Sequence, residues 1–150
     1  MLDLIRSAPP RAAQVEELLA CNADSSPYGL RLNAGEAAQL LECRSQALRS
    51  AGRVELGGGI LPRLIRAFCA SPYLEQDSYA ETLAQLQEAF YFCKSEARER
   101  LSDGELLDLM VRLFNGPARG SAEYLAETSL DALCRRLREG RPADGDEELC

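Results

Sequence analysis

The sequence contains no histidine, which removes every histidine-dependent triad, acid–base pair and metal site. It also lacks any C-x-x-C pair, although cysteines stand at 21, 43, 69, 93, 134 and 150. A zinc site wants close ligand pairs, so zinc is argued against too. No apolar run reaches the roughly 18 residues a spanning helix requires. The opening stretch "MLDLIRSAPPR" sets Asp3 and Arg6 inside its apolar patch and a proline pair after it, which does not read as a signal peptide. These absences lead us to expect a cytoplasmic protein whose cysteines are reduced thiols, mostly small buried hydrophobes. Lysine is scarce as well: Lys94 stands alone, and arginine supplies the other 16 of 17 basic residues.

What is present is an ordinary globular composition. The 150 residues are 46% hydrophobic and 27% charged, enough for one domain with one core. The net charge is −7. Asp144, Asp146, Glu147 and Glu148 against Arg141 put −3 of it in the last residues, leaving −4 on the body. A surface of that sign repels phosphate backbones and anionic lipid, so neither nucleic acid nor membrane is an expected partner.

The pattern is helical nearly throughout. Ser7 and the following prolines suit a helix start, with Asn22 at its end. "NAGE" at 33–36 opens a second helix that Gly52 closes, and "SYAE" at 78–81 and "SDGE" at 102–105 match the capping box. Gly116-Pro117 ends the fifth helix; Ser121 caps the sixth and Gly140 stops it. Tyr79, Leu83, Leu86, Phe90, Cys93 and Ala97 step by three and four, forming one seam of a helix over 78–100. Tyr91 and Phe92 follow Phe90 and point about 100° apart, so aromatics face several directions. The spacing predicts an all-α fold: a six-helix single domain over 1–140 packed around helix 78–100, with 141–150 as a flexible acidic tail. "YGLRL" (28–32) and "RVEL" (53–56) alternate apolar and polar residues and could pair as a short two-stranded β-ribbon.

Four stretches could carry chemistry. Gly57, Gly58 and Gly59 precede a helix, but neither a Walker loop nor a dinucleotide fingerprint follows them. A generic anion niche remains, with Arg53, Arg63 and Arg66 nearby and Arg63 opposing the helix dipole by about 0.3–1 kcal/mol. The plainer reading is a corner in which at least one glycine takes positive φ. Arg44 interrupts the apolar stripe of the second helix, so it must pair with a carboxylate, snorkel outward or face a ligand. Glu75, Asp77 and Glu81 gather near the start of helix 78–100; the plainer account is acids favoured at a helix start. Tyr91 or Phe92 could mark a partner surface.

The combination of "GLRL", "GRVELGGGILPRLIRAFC", "SPYLEQDSYAETL", "FYFCKSEA", "LSDGELLDLM" and "GSAEYLAETSLDAL" resembles an uncharacterised bacterial family, domain of unknown function 6323, over most of the chain. The resemblance implies a compact bacterial cytosolic protein and carries no activity or functional residue with it. The expectation is a non-enzymatic interaction module that docks a partner protein or itself, without cofactor or metal. The alternative is a small-anion or phosphoryl-ligand binder using Arg44, the glycine corner and its arginines.

Overall fold

A computed structural model describes residues 11–52, 59–96 and 101–130, together with 132 and 135. The described residues are mainly helical and include no strand. α1 spans Arg11–Ala20 and α2 Asn22–Ser25, followed by a 3-10 turn, Ser26–Tyr28. α3 spans Ala34–Ala51 and α4 Leu61–Phe68. A second 3-10 turn, Gln76–Ser78, runs into α5, Tyr79–Glu96. α6 spans Asp103–Asn115; α7, Ala122–Tyr124, continues into a π-helical turn, Leu125–Ser129. No helix among the described residues is long and apolar enough to cross a membrane.

Two of the three expected boxes form. Asn33 Oδ1 accepts from Glu36 N at 2.7 Å, and Glu36 Oε1 accepts from Asn33 N at 2.9 Å. Ser102 and Glu105 repeat the exchange at 3.1 and 2.9 Å, so each box satisfies orphan amides at its helix start. At the third, the 3-10 turn ending in Ser78 leads directly into α5. Gly52 closes α3 at φ 67°, as the sequence predicts.

The ribbon expectation needs correction. Its second strand, 53–56, lies outside the described residues, and 28–32 is not a strand. The alternation was real, since Leu30 and Leu32 are buried while Arg31 is exposed. Side chains, however, supply the pairing. Leu32 N donates to Asn22 Oδ1 at 2.8 Å and Asn22 Nδ2 returns a bond to Leu32 O at 3.0 Å. Gln76 does the same for Arg31, at 2.8 and 3.0 Å. Leu30 N reaches Ser25 O, and Ser25 Oγ donates to Leu30 O at 2.7 Å. Every backbone polar group of these three residues is satisfied without a partner strand, meeting the requirement that normally enforces one.

α5 packs against α3, α4 and α7, while α6 packs on α4 and the π-helical turn. The seam predicted for α5 is buried at Tyr79, Leu83, Leu86, Phe90 and Cys93; Ala97 and the expected extension to 100 lie outside the described residues. Phe68 of α4 meets Phe114 of α6 edge-on at 5.4 Å, and Tyr73 meets Phe114 at 6.4 Å. Such T-shaped contacts align positive ring edges with negative ring faces. A second junction is ionic. Lys94 Nζ, buried, donates to Leu101 O at 2.7 Å and lies 3.1 Å from Asp103 Oδ1. Asp103 Oδ2 also faces Arg63 at 4.0 Å. One carboxylate, at an N-terminus that favours negative charge, thereby links α4, α5 and α6.

Candidate functional site

The α3–α5 contact creates a groove of about 610 Å³. On α3 its wall is Cys43, Gln46, Ala47 and Ser50, spaced so that all share one face. On α5 the wall runs from Glu81 through Ala84, Gln85 and Glu88 to Tyr91, Phe92 and Ser95. Small side chains line both helices where large ones would close the seam, and their narrowness leaves the groove between two 18-residue helices. From Glu81 to Ser95 it extends about 21 Å along the axis, at 1.5 Å per residue.

The groove is acidic and acceptor-rich, with no lysine or arginine in its lining among the described residues. Glu81 and Glu88 are exposed on α5. Gln87, 1% exposed, also lines it. Its Nε2 donates to Leu40 O at 3.2 Å, which fixes the amide orientation, because a flip would set two oxygens together. Its Oε1 is buried with no hydrogen-bond partner. An orphan acceptor of this kind costs free energy until a donor reaches it. At one end Tyr91 is buried, edge-on to Phe90 at 5.4 Å, while Phe92 is 51% exposed.

Of the two aromatics the sequence offered as a partner surface, both are in the lining, Phe92 exposed and Tyr91 buried in the core. The sequence did not mark Ala47, Ser50, Ala84 or Gln87. Their only signal is small or neutral residues at helical spacing, on segments some 40 residues apart. Glu81 joins the groove, while Glu75 and Asp77 stand exposed beside the 3-10 turn.

The described arginine candidates each engage a neighbour. Arg66 Nε pairs with Asp24 Oδ2 at 3.0 Å, and Arg63 faces Asp103. Arg44 is buried and engaged with a neighbour, as an arginine in an apolar stripe must be. Arg53, Gly57 and Gly58 lie outside the described residues. Gly59 does take positive φ, 65°, the corner conformation expected of that run. Beyond it Ile60, Leu61 and Pro62 are buried, so the start of α4 is sheathed in apolar side chains.

Chemistry of other kinds finds little purchase. Among the described residues no group of three histidine, cysteine or acidic residues is placed to hold a metal ion. Burial pushes the Cys21 and Cys69 thiols up, keeping them protonated and weakly nucleophilic. The expectation of free thiols holds for Cys21, Cys43 and Cys69. It fails at Cys93, which is disulfide-bonded. Cys134 and Cys150 lie outside the described residues.

A mainly helical chain with a groove between its two longest helices defines a class by shape alone. The family is more definite: the chain matches Family of unknown function (DUF6323) over residues 17–143 and belongs to it. Neither the curated proteins nor the solved structures offer a match to it.

Proposed function

We propose that this protein is a non-enzymatic, cytoplasmic interaction module that docks a partner protein in the α3–α5 groove. In this reading residues 1–140 form one six-helix domain around α5. The observation that carries it is the groove itself, open along two 18-residue helices, with Phe92 exposed at its end and an orphan acceptor in its wall. Grooves of this form accept the side-chain ridge of a third helix. The anion-binding alternative draws less support, because Arg63 and Arg66 already face carboxylates. A photoreactive phenylalanine analogue at position 92, in cells that express the protein, should yield a discrete adduct with another protein. The same analogue at Glu123, exposed and outside the groove, should not. Equal labelling from both positions would reject the docking site.

A further inference from the structure

Resting on that reading, we infer that the occupant is a basic amphipathic helix presenting two arginine or lysine residues seven positions apart. Three observations converge. Glu81 and Glu88 are exposed on the same wall, two helical turns or about 10 Å apart. A helix lying along α5 meets that spacing with residues seven apart. Among the described residues, no basic side chain in the lining competes for those carboxylates. Independently, Gln87 lines the groove, and its Oε1 is buried and lacks a donor among the described residues. Guanidinium groups offer several donors in a planar fork, suited to carboxylate and to amide oxygens. A second copy of this chain fits poorly, because its own groove and its −7 net charge bring like charge to the contact.

The test uses the full chain and labelled 18-residue helical peptides with one leucine face. One peptide carries arginines seven apart at the edge of that face; the other carries glutamines there. The arginine peptide should bind roughly three- to thirtyfold more tightly, the range for two exposed ion pairs, and lose that margin at high salt. Glu81→Gln with Glu88→Gln should erase the margin. Glu123→Gln with Glu127→Gln, an equal charge change outside the groove, should leave it. A Gln87→Met variant that melts like the parent should bind the arginine peptide more weakly.

Ser50→Trp and Gln85→Trp replace exposed lining residues, so either one that melts like the parent should bind neither peptide. Equal binding of both peptides, blocked by tryptophan, would overturn the basic chemistry and leave groove docking standing. Binding untouched by tryptophan, or none at all, would overturn both. A concentration-dependent dimer abolished by Ser50→Trp would assign the groove to a second copy and overturn the inference.

Discussion

Tyr79 shows how one atom can set a pH limit. Its hydroxyl is buried without a hydrogen-bond partner. Ser25 lies beside it and opposes the rise without cancelling it, since Ser25 Oγ spends its proton on Leu30 O. Desolvation therefore pushes the phenol up to about 12, with Cys69 and Cys21 adding to the rise. The folded state holds this proton more tightly than the unfolded chain does. Stability is thus complete below the ordinary tyrosine range near pH 10 and is lost as pH climbs towards 12. Tyr79→Phe should hold or raise the melting point at pH 7, because it deletes an unsatisfied hydroxyl. It should also flatten the decline between pH 10 and 12; an unchanged alkaline profile would show that another group governs it. Glycines give a second contrast at this scale. Gly29 and Gly120 both have positive φ, 80° and 84°. A Cβ at Gly29 meets nothing within 4 Å, whereas at Gly120 it would lie 2.4 Å from Tyr73 Cβ. Gly29→Ala should cost about 1 kcal/mol from backbone strain, and Gly120→Ala about 1–3 kcal/mol more from the clash. Equal losses in denaturant titrations would mean that the backbone at Tyr73 shifts to relieve the contact with its Cβ.

At the scale of elements, helix starts were legible because a cap is local chemistry. Asn33 and Ser102 bond to residues three positions on, and the spacing alone announces it. Asn33→Ala and Ser102→Ala should each cost about 0.5–2 kcal/mol, and nearly add, since the two boxes share no partner. A double variant no less stable than either single one would show that the boxes are redundant. The segment after Tyr28 was misread for the opposite reason. Its alternation correctly announced burial of Leu30 and Leu32, but its hydrogen-bond partners stand 10 and 45 positions away, in the amides of Asn22 and Gln76. Alternation reports which side is buried and says nothing of what pairs the edge. The groove was harder still. Pattern reading follows large apolar residues, and this site is made where Ala47, Ser50 and Ala84 are small.

For the whole molecule, the consequential correction is the disulfide. Cysteine count and spacing leave connectivity open, and Cys93 sits on the buried seam of α5, where an inert thiol is the simplest expectation. It is instead disulfide-bonded. A cross-link of that kind restricts the unfolded ensemble and contributes about 2–4 kcal/mol. In a protein of this size that corresponds to roughly 5–15 °C in melting temperature. Reductant should therefore lower the melting point of the parent protein by that order. Cys93→Ala should start lower and respond little to reductant, which separates loss of the bond from a general effect of the reagent on free thiols. Alkylation of the unfolded, unreduced chain supplies the independent count: fewer than six cysteines should react. Six labelled thiols would restore the original expectation of a fully reduced protein. The proposed cytoplasmic setting makes this measurement decisive, because a reducing compartment preserves such a bond only when folding shields it. The bond should accordingly survive mild reductant in the folded state and yield once the protein is unfolded.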